Sequence, residues 1–193
     1  MNHKIKLNNK ILKLYLVCLL IGIIIGFLFY FNLNTNEIES LIISIKQNKV
    51  LFKTCNNAIN HLKIMSVILV LSYFFIGIPL FIGLLITESF KITLRLIILS
   101  KIYRFKGIIY GLLYTIFNNG IYIILLIFIL KKLLKIVKIL YKNKIKKENI
   151  NYASLYSNFI NVISLTILIF ISDLLIYMYG NNILNLFRSM CKI

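Results

Sequence analysis

The chain alternates between long uncharged apolar runs and short lysine-rich stretches. Lys4, Lys6, Lys10 and Lys13 precede residues 14–31, which are 18 apolar or neutral residues without a charge. At 1.5 Å per residue this run reaches roughly 27 Å, enough for a thin bilayer. It reads as an uncleaved anchor, because Asn32, Leu33, Asn34 and Thr35 follow it where a signal peptide would show small residues. Residues 32–63 are more polar, and Ile38, Leu41, Ile42 and Ile45 recur at helical spacing within them. That spacing predicts a short amphipathic helix, resting on the membrane surface or against a partner. Residues 64–86 form a second uncharged run of 23, and Pro79, the one proline of the chain, predicts a kink in it.

The middle of the chain allows two readings. In residues 87–106, Lys91, Arg95, Lys101, Arg104 and Lys106 interrupt the apolar positions. This is either an interfacial basic helix or the start of a third span. Residues 107–130 are then uncharged over 24 positions, with Asn118, Asn119 and Gly120 in the middle. Eight lysines crowd residues 131–147, with apolar residues among them, so the preceding helix extends along or beyond the membrane. The last apolar run, 159–179, holds Asp173.

Charge fixes the expected topology. The lysines of 4–13 and of 131–147 both favour the cytoplasm. A single helix over 107–130 would put eight lysines outside, so two passes turning near Asn118–Gly120 are expected. They are either full helices or the halves of a re-entrant hairpin whose turn is buried by protein. The expected fold is all-α: one polytopic membrane domain over residues 1–193, with about five transmembrane helices near 14–31, 64–86, 92–117, 120–140 and 159–179. The N-terminus is expected in the cytoplasm and the C-terminus outside the plasma membrane.

Composition agrees with lipid as the solvent. Hydrophobic residues make up 60% of 193, above the 45–50% of ordinary soluble domains, and the mean hydropathy is +0.90. The net charge of +18 reads as the positive-inside rule acting on a lysine-rich, AT-rich coding bias. No basic domain with interleaved aromatics is present to read nucleic acid. Cys18, Cys55 and Cys191 form no CxxC pair, and no disulfide framework is indicated, although Cys55 and Cys191 share a compartment under this topology.

Candidate chemistry is sparse. The histidines are His3 and His61, and no HExxH, phosphate-binding loop or Gly-x-Ser-x-Gly elbow occurs. No catalytic residue, metal ligand, cofactor or small-molecule substrate is therefore expected, and the protein is read as no enzyme. His61 reads as an interfacial residue. Asp173 is the one acid inside a clear span, where a carboxylate is expensive and faces the bundle interior. It reads as an ion relay or as the structural partner of Arg95, Lys101 or a tyrosine hydroxyl. Asn118 and Asn119 read as a loop at the bilayer face or as a polar point within the bundle. Glu88 is expected to end the second span and to pair with Lys91.

Two stretches carry a family resemblance. GIPLFIGLLITESFK at 77–91 shows a glycine, a proline two residues on and an aliphatic run before a basic turn. GIIYGLLYTIFNNGIYII at 107–124 holds the polar middle, with Asn119 at an asparagine position of the pattern. Asn118 stands where a glutamine would be, and Phe117 and Ile124 where prolines would be. Together they resemble the stage II sporulation protein M family. The resemblance singles out Gly77, Pro79 and Asn119, and implies a membrane scaffold with no activity of its own. In such a family the scaffold acts with membrane-anchored peptidoglycan hydrolases during engulfment of the forespore. The competing reading is a small permease or the membrane subunit of a transporter, in which Asp173 and Asn118 or Asn119 would line a cavity near mid-membrane. An intramembrane hydrolase is a remote third.

Overall fold

A computed structural model describes residues 2–46, 55–147, 149 and 151–191. All of its regular structure is helical: α1 (Asn2–Asn32), α2 (Thr35–Lys46), α3 (Cys55–Ser72), α4 (Gly77–Lys146) and α5 (Tyr152–Cys191). Among the described residues, two stretches are long and apolar enough to cross a bilayer, Ile11–Asn32 of 22 residues and Tyr152–Gly180 of 29 residues, and only a minor part of each is buried in the bundle. Helix α3 contributes the shorter apolar stretch Ala58–Ser72.

The stretch α4 is two helices folded back on each other. Arg104 has φ 54° and ψ −134°, far from helical, and the chain reverses there. Ile98, Leu99, Tyr110 and Tyr114 form one buried cluster, and the Arg95 guanidinium lies 4.6 Å from the centre of the Tyr114 ring. In a straight helix residues 95 and 114 would be roughly 28 Å apart. The reversal is tight: a Cβ on Gly107 would overlap the Leu99 carbonyl. The first arm (77–103) and the second arm (105–146) span about 40 Å and about 63 Å.

The second arm is the centre of the bundle. Tyr122, Leu126, Ile129, Leu130, Leu133, Ile136 and Leu140 recur every three or four residues, all buried. They pack in one core with Ile11 and Tyr15 of α1, Met65 and Ile68 of α3, Phe81 and Leu85 of the first arm, and Val162 and Ile169 of α5. Helix α1 runs parallel to the first arm, with Leu19 and Gly22 beside Ser89 and Gly26 beside Thr93. Helices α3 and α5 run antiparallel, so that His61 meets Asp173 while Leu69 shares a small cavity with Ile163.

Helix α2 is the amphipathic segment expected from Ile38, Leu41, Ile42 and Ile45, and Leu41 and Ile42 dock on the cluster at the hairpin end. Its start is capped, the Glu37 carboxylate accepting from the Asn34 N–H at 2.9 Å. Asn151 caps α5 likewise, its side-chain oxygen accepting from the Ser154 N–H at 2.9 Å.

Three expected boundaries are corrected. The run 64–86 is not one helix: it breaks at 73–76, where the N–H groups of Tyr73, Phe74 and Phe75 bond back to Val70, Leu71 and Ser72 and Phe75 takes φ 65°. This turn holds no glycine or proline, so no local signal announced it. Gly77 follows directly, and a Cβ there would collide with Ser72. Pro79 therefore stands in the first turn of α4, where its missing N–H has no helical partner to lose, and it kinks nothing. Asn118, Asn119 and Gly120 do not turn the chain: they are interior positions of the second arm. The helices drawn over 92–117 and 120–140 are replaced by the arms meeting at Arg104, and residues 87–103 belong to the first arm. The extension of a helix through the lysine-rich 131–146 is as expected, ending at Lys147 with φ 54°.

Candidate functional site: a polar groove beside a buried His–Asp pair

The tertiary fold joins His61 to Asp173, 112 positions later in the chain. His61 Nδ1 lies 2.7 Å from Asp173 Oδ2. The Asp173 side chain is fully buried and that of His61 is 15% exposed. Tyr122, on the second arm, stacks on the imidazole with centroids 4.6 Å apart and planes 12° from parallel. Three helices thus fix one ring: α5 by a hydrogen bond, the second arm of α4 by its aromatic face, and α3 by the backbone. A carboxylate in an apolar bundle needs such a partner. The partners expected for Asp173 included Arg95 and Lys101; the structure gives it His61, whose side chain faces the bundle core.

His61 also borders a groove of about 720 Å³ between α3 and the two arms of α4. Its apolar part is lined by Ile64, Pro79, Leu80, Gly83 and Leu84. Its polar part is lined by Asn60, Thr87, Glu88, Lys91, Arg95, Tyr114 and Asn119. Glu88 pairs with Lys91, Nζ to Oε1 2.8 Å, as expected from their spacing. Glu88 lies well inside the first arm, however, and ends no span. Arg95 stacks on Tyr114, and its Nη1 is buried with no hydrogen-bond partner among the described residues.

The sequence-selected residues are only partly gathered. Pro79 and Asn119 line the groove. Asn118, buried like Asn119, is not among its lining residues. Asp173 stands behind His61, and Gly77 opens α4 directly after the 73–76 turn. Among the described residues, no group of three or more His, Cys, Asp or Glu side chains converges as a metal would require. Cys18 is a buried free thiol. The side chains of Cys55 and Cys191, expected to share a compartment, lie outside the described residues.

One packing feature had a sequence signal that the apolar runs concealed. Gly22 and Gly26 are a small-xxx-small pair on α1, matched by Ser89 and Thr93 on the first arm. A Cβ on Gly22 would lie 2.6 Å from the Ile86 carbonyl oxygen, and one on Gly26 would lie 2.9 Å from Thr93 Cβ. This approach lets the Ser89 hydroxyl donate across the interface to the Leu19 carbonyl at 2.8 Å. His61, by contrast, carried no signal: it is one of several polar residues in a mixed segment, 112 positions from Asp173.

No family model matches the chain, and no curated protein and no solved structure matches it.

Proposed function

We propose that this chain is a five-pass protein of the plasma membrane that acts as a scaffold of the stage II sporulation protein M kind. It holds membrane-anchored peptidoglycan-degrading partners during engulfment of the forespore. The passes are α1, α3, the two arms of α4 and α5, with the N-terminus and the lysines of 131–147 in the cytoplasm and the C-terminus outside. The observation that carries the scaffold reading is the convergence of the two stretches behind the resemblance. Residues 77–91 and 107–124 are apart in sequence, yet Pro79, Leu80, Gly83, Leu84, Thr87, Glu88 and Lys91 from the first face Tyr114 and Asn119 from the second across one groove. Deleting the gene in the host and following sporulation with a membrane dye tests the role. Septa should form while the mother-cell membrane fails to migrate around the forespore. Normal engulfment would remove the scaffold reading.

A second reading, the small permease, is favoured by the His61–Asp173 pair bordering a cavity that Asn119 also lines. The Asp173→Asn variant separates the two readings. A scaffold keeps supporting engulfment with this near-isosteric change, whereas transport through a proton relay collapses.

A further inference from the structure

We propose that the groove between α3 and the α4 hairpin binds an anionic phospholipid, its phosphate on Arg95 and its acyl chain against Ile64, Leu80 and Leu84. The inference rests on the membrane reading alone and is independent of the scaffold role.

Charge complementarity identifies the head. The acid lining the groove already has a cation: Glu88 is paired with Lys91 at 2.8 Å, and Asp173, behind the groove, is hydrogen-bonded to His61 at 2.7 Å. Among the described residues Arg95 has no acidic partner. Its guanidinium rests on the Tyr114 ring, and its Nη1 is buried with a donor unused. An arginine within an apolar bundle is costly without an anion, and a guanidinium fork suits phosphate oxygens. Asn119 and the Tyr114 edge of the groove add polar lining beside it.

The apolar part identifies the tail. Ile64 and Leu80 line the groove and are also more than 40% exposed, so the groove opens on the outer, lipid-facing side of the bundle. A soluble anion would leave this apolar half empty, whereas an acyl chain fills it. Gly83 lines the same half, and a Cβ there meets nothing within 4 Å. A larger side chain at position 83 therefore enters the groove without disturbing the helices.

The test is lipid titration of the full-length protein in neutral detergent, followed by native mass spectrometry. Dioleoyl phosphatidylglycerol, dioleoyl phosphatidylcholine and inorganic phosphate are the probes. One phosphatidylglycerol should bind about tenfold more tightly than phosphatidylcholine, because both present a phosphate but the choline adds a cation that the Arg95 guanidinium repels. Arg95→Gln should abolish that preference. Gly83→Leu should weaken both lipids while the helical circular dichroism and monodispersity of the protein stay unchanged. Equal binding of the two lipids, or phosphatidylglycerol binding unaffected by both substitutions, overturns the proposal. Inorganic phosphate binding as tightly as phosphatidylglycerol and depending on Arg95 overturns it in favour of a soluble anion. Release of the chain from membranes by alkaline carbonate would instead remove the membrane reading on which it stands.

Discussion

At the scale of single residues, the His61–Asp173 pair decides how a carboxylate is tolerated in an apolar bundle. Removing one partner of a buried pair in a soluble protein costs about 3–5 kcal/mol. Interhelical hydrogen bonds within membranes average nearer 0.6 kcal/mol, with a maximum of about 1.7. His61 keeps some access to the groove, so the smaller scale applies, with loss of the Tyr122 stacking geometry added. Asp173→Leu should lower stability by about 1–2 kcal/mol, read by SDS titration with far-ultraviolet circular dichroism. His61→Phe combined with Asp173→Leu should cost less than the sum of the single changes, because the double variant leaves neither group unpaired. Strict additivity would mean that the two side chains do not interact. The sequence singled out Asp173, since one acid in an uncharged run stands out. It could not name His61, because no periodicity links positions 112 apart.

At the scale of elements, the hairpin at Arg104 and the α1 crossing make distinct claims. A Cβ on Gly111 would lie 2.7 Å from Leu96 Cδ2 and 3.9 Å from Leu96 Cα. Cysteines at Leu96 and Gly111 should therefore crosslink readily under mild oxidant, seen as a change in gel mobility. In a continuous helix over 92–117 those positions would be roughly 22 Å apart and would not crosslink. At the α1 crossing, Gly22→Leu should destabilise the protein by about 1–3 kcal/mol through overpacking against Ile86 and Ser89. Gly83→Leu, at the open position of the groove, should change stability by less than about 0.5 kcal/mol. Equal effects at both glycines in the same unfolding titration would argue against the close crossing. The sequence placed α2 correctly because a period of 3.6 is a local property. It misplaced the turns for an equally physical reason. Asn118, Asn119 and Gly120 favour turns in isolation, but burial within the second arm overrides that preference. The aromatic turn at 73–76 and the reversal at Arg104 use residues with no turn preference.

At the scale of the whole molecule, the arrangement predicts sidedness. The 73–76 turn and the lysines of 131–147 lie at one end of the bundle, as the approach of Lys144 to the Tyr73, Phe74 and Phe75 rings indicates. The Arg104 reversal lies at the other end with α2. A single cysteine at Lys106 in a variant lacking the native cysteines should react with an impermeant maleimide added to intact cells, and one at Lys142 should react only after lysis. Labelling at Lys142 in intact cells would invert the topology. The sequence by itself determined that the chain is helical, rich in long apolar runs and unequal in its distribution of lysines. Those properties follow from composition and short-range periodicity, which any window of the chain displays. Only the tertiary structure decided where the chain reverses, which arm occupies the centre, that His61 answers Asp173 and that Arg95 faces a groove. Those outcomes depend on how apolar stripes from distant segments fit together, and many registers of similar aliphatic helices satisfy the same local pattern.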